Sequence, residues 1–179
     1  MNLIRIIITG APGTGKTSII NSLKSRGYTC FDEYSRDLIN WGHKNGIKNF
    51  FLDKPNTFNF NILKGRVKQY KESERIKKTK DCLVFFDRGI FDVFAYQKFI
   101  NPLYVLPKKN NLFNYQKVFI LSPWSKIYIN DDQRFENYET SKSIHKSISS
   151  TYDHFGFKLN EVPKLDVEKR VDFIINRCL

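Results

Sequence analysis

Short apolar runs alternate along the chain with longer stretches in which apolar residues recur every three or four positions. Such a pattern predicts a parallel sheet whose strands are joined by helices packed on both faces. Strands are expected at 3–9 (LIRIIIT), 28–31 (YTCF), 82–86 (CLVFF), 117–121 (KVFIL) and 157–162 (FKLNEV), and helices are expected to begin near Gly15, Tyr34, Asn56, Ile90, Asp131 and Val167. Five strands so connected make a three-layer α/β domain. The helix after Pro55 sets Phe58, Ile62, Leu63, Val67 and Tyr70 on one flank, at a spacing suited to packing on a sheet. Its other flank carries Lys64, Lys68, Lys71, Arg75 and Lys78, which reads as a solvated face in preference to a nucleic-acid or lipid contact.

Composition narrows this picture. With 179 residues, 41% of them hydrophobic, and 16 Phe and 9 Tyr as anchors, the chain can bury one core, so residues 1–179 are read as a single domain. The opening run LIRIIITG is broken by Arg5 and too short for a signal peptide or a membrane span, so a cytoplasmic protein is expected. Cys30, Cys82 and Cys178 are widely separated, with no CxxC and no His partner nearby, which suggests neither a disulfide framework nor a zinc site. A net charge of +12 points to anionic partners, and nucleotide phosphates, nucleic acid and anionic lipid all qualify.

The chemistry begins at GAPGTGKT. Gly10, Gly15, Lys16 and Thr17 complete the pattern GxxxxGK[ST] between an apolar strand and the amphipathic SIINSLKSRG, the context a phosphate-binding loop requires. Glycines let the backbone curl so that N–H groups point at phosphate oxygens, and the following helix presents its positive end. Gly10, Ala11, Pro12, Gly13, Thr14, Gly15, Lys16, Thr17 and Ser18 are thus the expected nucleotide-binding residues, with Lys16 across the β- and γ-phosphates and the Thr17 hydroxyl on Mg²⁺. A second anchor for the metal is Asp87, the last residue of CLVFFD, which emerges at the same sheet edge as the loop. An N-cap role for Asp87 is the alternative.

What becomes of the phosphate depends on the neighbours. Ring-forming motor ATPases follow the metal-side Asp with a Glu that activates water, whereas Arg88 follows here. The sequence DRGIFD lacks the DxxG of a Ras-like switch, and no NKxD occurs. A kinase remains, which needs a carboxylate near the acceptor hydroxyl, cations around the moving phosphoryl and a lid against water. In FDEYSRD, either Asp32 or Glu33 could meet a hydroxyl; Glu33 is favoured, with Arg36 on the same helical face to hold substrate. The competing reading is a capped helix start with an i,i+3 Glu–Arg pair. Residues 123–143, rich in polar and aromatic residues, suit a lid, and Arg134 is its single arginine, placed to stabilise the phosphoryl or to pair with Asp131 or Asp132.

Taken together, GAPGTGKTSIINSLKSRGY, DEYSRDLI, FFDRGIFDVFAY, VFILSPWSKIYINDDQRF, SSTYDHFGFKLNEVP and VEKRVDFII resemble the small P-loop proteins known as AAA-domain ATPases, similar to the ribosylnicotinamide kinase domain of bifunctional NAD-biosynthesis regulators. The resemblance implies a P-loop NTPase fold of nucleoside- or nucleotide-kinase type, with parallel strands in the order 2-3-1-4-5 and a lid after the fourth. DRG at 87–89 also resembles the acid-Arg-Ser motif of deoxynucleoside kinases. That likeness implies that Asp87 serves the metal, Arg88 touches the accepting end of the substrate and Glu33 is the hydroxyl-activating carboxylate; Gly89 stands where the motif has Ser. A single lid arginine, where many nucleotide kinases use several, argues against a monophosphate acceptor. The expected activity is therefore ATP- and Mg²⁺-dependent transfer of a phosphoryl group to a hydroxyl of a nucleoside-like small molecule. The alternatives are a nucleotide-binding regulatory module and a polynucleotide 5′-hydroxyl kinase.

Overall fold

The computed structural model describes residues 3–48, 50–108, 113–128 and 137–179, without the side chains of Phe51 and Leu52. Five parallel strands, β1 (Ile4–Gly10), β2 (Thr29–Phe31), β3 (Leu83–Asp87), β4 (Lys117–Leu121) and β5 (Leu159–Val162), form one sheet in the order β2-β3-β1-β4-β5. The expected order 2-3-1-4-5 is therefore the observed one. β1 lies in the middle, with Ile8 opposite Asp87 of β3 on one side and Phe119 of β4 on the other.

Successive side chains of a strand point to opposite faces, and each central strand here is apolar on both. Ile6 and Ile8 face one layer, with Leu83, Phe85, Phe119 and Leu121; α1 (Lys16–Ser25) and α7 (Val167–Cys178) cover it through Ile19, Leu23, Val171 and Ile174. Ile7, Val84, Phe86, Val118 and Ile120 face the other layer, covered by α5 (Phe91–Ile100) and α6 (Tyr138–His154) through Phe91, Ala95, Ile144, Ile148 and Tyr152. Burial of this kind, at about 25 cal/mol per Å² of apolar surface, is the main force holding the layers together. A smaller cluster of Phe50, Phe58, Ile62 and Val93, with Leu38 and Ile39 packed against it, joins α2 (Tyr34–Lys44), α3 (Phe50–Asp53), α4 (Pro55–Glu74) and α5. The short α3 has no counterpart in the sequence reading, because four residues carry too little periodicity to register.

Side chains fix several helix starts. Asp166 accepts from the Lys169 N–H at 3.0 Å at the head of α7, and Asn137 does the same for Thr140 at 2.8 Å at the head of α6. The predicted helix start near Asp131 lies outside the described residues. α4 ends at Glu74, so Lys78 falls beyond it, and its inward line is Phe58, Asn59, Ile62, Gly65, Arg66, Tyr70 and Ser73. Leu63 and Val67, expected inside, are half-buried, while Lys64, Lys68, Lys71 and Arg75 are exposed as anticipated. Cys30 and Cys82 are half-buried and Cys178 is buried, all as free thiols. Among the described residues, no helix is long and apolar enough to cross a membrane.

Candidate functional site

Between β1 and α1 the chain makes the tight loop that the glycine pattern demands. Gly15 is the residue before α1 and adopts φ 88°, a left-handed conformation that side chains disfavour. The loop's carbonyls are held both from within the loop and from the helices packed on it. Ala11 O accepts from the Thr14 hydroxyl and from Lys16 Nζ, each at 2.9 Å; Pro12 O accepts from Ser141 of α6 at 3.0 Å; Thr14 O accepts from Arg170 of α7 at 3.2 Å. A peptide plane puts its N–H opposite its C=O, so tethering Pro12 O and Thr14 O turns the Gly13 and Gly15 N–H groups the other way. Lys16 is itself buried, and burial together with nearby Arg88 pulls its ammonium down to about 7 against the pull of Asp87, Glu33 and Asp92. Thr17 and Ser18 remain exposed on the first turn of α1.

Asp87 ends β3 and is buried, yet its Oδ1 has no hydrogen-bond partner among the described residues. Burial, reinforced by Glu33, raises its carboxyl to about 6. It does not cap the next helix, whose N-cap position is Ile90 with no side-chain bond, so the capping alternative fails. The Thr17 hydroxyl accepts from Arg36 Nη2 at 3.3 Å. No group of three or more His, Cys, Asp or Glu gathers as a metal cage among the described residues. Mg²⁺ keeps most of its waters and takes one or two protein oxygens beside substrate phosphates. Asp87 with its orphaned oxygen, and Thr17 on α1, are the residues that could hold it.

Facing the loop from the β2 side is a buried cluster of four charged residues. Glu33 receives Arg66 Nη2 of α4 at 3.0 Å on one oxygen and Arg88 Nε on the other, while Arg88 Nη1 also lies 3.4 Å from Asp92. Burial pushes the Glu33 carboxyl up, but Arg66 and Arg88 outweigh it and hold it down at about 2. Arg88 adopts φ 70°, in the left-handed region that a non-glycine residue occupies only at a cost, and its guanidinium lies 5.3 Å from the centre of the Tyr96 ring. Asp92 is fully buried and accepts from the Thr9 hydroxyl at 2.5 Å, the Tyr152 hydroxyl at 2.5 Å and the Gly89 N–H at 2.8 Å. Arg66 Nη1 donates to the Gly89 carbonyl at 3.1 Å. Gly89, where the related motif has Ser, has no room for more: a Cβ there would come within 2.3 Å of Ile7 Cδ1.

Lys16, Glu33, Asp87 and Arg88 are thus brought together as anticipated. Asp32 instead pairs on the surface with Lys24 at 2.5 Å. Of the competing reading, the i,i+3 pair of Glu33 with Arg36 is replaced by the Arg36–Thr17 contact, although Glu33 does cap α2 by accepting from the Ser35 N–H at 3.3 Å. Arg134 and the rest of 129–136, the middle of the expected lid, lie outside the described residues; its described flanks pack on the loop, Tyr128 against Gly13 and Ser141 against Pro12. Arg66, Asp92 and Arg170 are site residues that the sequence reading missed. For Arg66 a signal existed, a cation four residues after Ile62 and four before Tyr70, on the line of α4 that faces inward.

The same architecture recurs in solved structures. Deoxyadenosine kinase from M. mycoides, with the products dCMP and dCDP bound, superposes with a TM-score of 0.69 at 21% identity over 98% of each chain. NadR in complex with NR gives a TM-score of 0.70 at 17% identity, over 97% of this chain and 51% of that one. Thymidylate kinase from Candida albicans gives 0.68 at 12% identity, over 98% and 91%. At these identities the likeness establishes the P-loop kinase fold. No curated protein matches the sequence. The model of the AAA domain family matches residues 5–170, a span that takes in both the phosphate loop and the buried charge cluster, and the chain belongs to that family.

Proposed function

We propose that the protein is an ATP- and Mg²⁺-dependent kinase that phosphorylates a hydroxyl of a nucleoside-like small molecule. The observation that carries this is Glu33, held between Arg66 and Arg88 within electrostatic reach of Lys16 of the phosphate loop. A hydrolase needs a group that activates water, whereas this arrangement offers an oriented carboxylate and guanidinium to an organic acceptor. The solved neighbours named above, a deoxyadenosine kinase with nucleotide products and NadR with NR, support a nucleoside-like acceptor.

In this reading the loop amides and Lys16 grip the β- and γ-phosphates. Burial already disfavours the charge on Lys16, and a bound polyphosphate restores it. Thr17 and Asp87 would hold Mg²⁺, which would supply neutralisation of phosphate charge; Arg36, released from Thr17, turns to the acceptor. Glu33 orients the acceptor hydroxyl, because a carboxyl held at about 2 is far too acidic to remove a proton efficiently near neutrality. A loose, metaphosphate-like transition state asks for positioning more than for a strong base. Arg66 and Arg88 are already neutralised by Glu33 and Asp92, which favours an uncharged acceptor over a monophosphate. Arg134 remains the lid residue proposed to meet the moving phosphoryl.

The test is mass spectrometry of a nucleoside panel and a metabolite extract incubated with protein, ATP and Mg²⁺, with Glu33→Gln run in parallel. One species gaining a single phosphoryl group is expected, with transfer reduced at least about 100-fold in Glu33→Gln and ATP affinity kept within about twofold. ATP binding and hydrolysis with no phosphorylated acceptor would replace the proposal with a regulatory nucleotide-binding module.

A further inference from the structure

Arg170 has no place in the kinase chemistry above, yet it is a buried cation set against the phosphate loop. It reaches the loop from α7, 156 residues away in sequence, and its Nη1 donates to Thr14 O at 3.2 Å. Its two terminal nitrogens lie so near Gly15 that a Cβ there would meet them at 3.0 and 3.1 Å. The guanidinium also sits 6.0 Å from the centre of the Trp124 ring, on the segment that follows β4. Its own helix is clamped to α1: Arg26 pairs with Asp172 at 2.6 Å and with Glu168 at 2.5 Å, and Ser22 donates to Glu168 at 2.8 Å. The hand that holds Thr14 is therefore fixed to the very helix whose N-terminus the loop feeds.

We infer that Arg170 is a positioning residue for nucleotide phosphate, setting the plane of the Thr14–Gly15 peptide so that the Gly15 N–H faces the β-phosphate. The inference rests on the phosphate-loop reading. Thr14 O and the Gly15 N–H belong to one rigid plane, so a donor on the carbonyl aims the amide. A neutral donor could supply the hydrogen bond, as Ser141 does at Pro12 O. A guanidinium adds positive charge where an anion must bind, and a planar fork braced on an aromatic face holds its direction better than an ammonium would. Nε of Arg170 is buried without a partner among the described residues, a cost of burial that packing or cation–aromatic contact alone would not require.

The experiment measures Mg²⁺-dependent ADP and AMP affinity by calorimetry and competition for the full chain, Arg170→Gln and Arg170→Lys. Both ligands share base and ribose, and only ADP reaches the loop with a β-phosphate. Arg170→Gln is expected to weaken ADP about tenfold and AMP less than twofold, with Arg170→Lys between it and the wild type. Thermal midpoints without nucleotide check that each variant is folded; if Arg170→Gln is not, the ADP to AMP ratio of Arg170→Lys, expected to fall about threefold, decides alone. Equal losses for ADP and AMP, or no change in either, overturn the assignment. A wild-type protein that binds no ADP overturns the phosphate-loop reading together with it.

Discussion

The two halves of the site are built on opposite electrostatic plans. On the side of the phosphate loop the charged groups are under-partnered: Lys16 turns back onto a backbone carbonyl, and Asp87 Oδ1 has no partner among the described residues. On the facing side the carboxylates are saturated, with Glu33 shared by two guanidiniums and Asp92 accepting from Thr9, Tyr152 and Gly89, although Arg66 Nε has no partner among the described residues. Burial pulls the Lys16 and Asp87 pKa values toward their neutral forms, to about 7 and about 6, while paired Glu33 is held charged at about 2. The difference separates two tasks. Under the proposed kinase reading, the surface that would accept a polyanion and a cation is left wanting charge, whereas the one that would orient a neutral hydroxyl is locked before the substrate arrives.

Removing a member of the locked side should have the largest effect. Arg66→Met removes one of the two guanidiniums on Glu33 and one of the two donors on Gly89 O, the Asp92 N–H remaining, and breaking a buried pair in this way costs about 3–5 kcal/mol. Urea denaturation should show that loss, and a loss below about 1 kcal/mol would mean that the pair is no more than a surface ion pair in effect. Arg66→Lys should recover only part, since an ammonium cannot span both Glu33 and the Gly89 carbonyl.

The under-partnered side should respond with the opposite sign. The folded carboxyl of Asp87, at about 6, titrates above its unfolded value near ~3.9. The folded state therefore binds more protons between those values, so this group's contribution to stability falls as pH rises through that window and stays lower above it. Asp87→Asn is neutral throughout, so without nucleotide or Mg²⁺ it should be more stable than the wild type at pH 7.5 by about 1–3 kcal/mol. Near pH 4 the two should converge. The same variant should lose the Mg²⁺-dependent part of ATP stabilisation. Thermal midpoints across pH decide it, and a variant less stable than the wild type at pH 7.5 would show that Asp87 is structural.

Legibility in the sequence followed the range of the forces involved. Strands, the loop and the order of elements came from local pattern: the run LIRIIITG and the spacing of Gly10, Gly15, Lys16 and Thr17 carry their own geometry. Asp87 and Arg88 were readable because the end of an apolar strand marks the sheet edge. Arg66 hid among apolar residues of α4, since its partner Glu33 lies 33 residues away and only the packing of α2 on α4 joins them. Asp92 stands in the first turn of α5, where an acid needs no special role, and its partners Thr9 and Tyr152 lie 83 and 60 residues distant, so no local pattern marks it. Arg36 inverted the local rule, leaving Glu33 at i,i+3 for the Thr17 hydroxyl, because two long-range guanidiniums had already filled the carboxylate.

The smallest effect expected belongs to the outer flank of the same helix that carries Arg66. Lys64, Lys68, Lys71 and Arg75 line a shallow groove of about 550 Å³ over Leu63 and Val67, and the one ion pair there among the described residues, Lys68 with Glu72, is 3.8 Å long and largely exposed. Exposed pairs of this kind contribute at most about 0.5 kcal/mol. The double change Lys64→Glu with Lys68→Glu should therefore alter stability by less than about 0.5 kcal/mol and leave phosphorylation of a small acceptor within about twofold. If overall positive charge, and not paired charge, organised the site, these reversals would match the loss of Arg66. Transfer to a 5′-hydroxyl oligonucleotide that is steeply salt-dependent and abolished by the same reversals would instead make this flank the acceptor's track, and with it the protein a polynucleotide kinase.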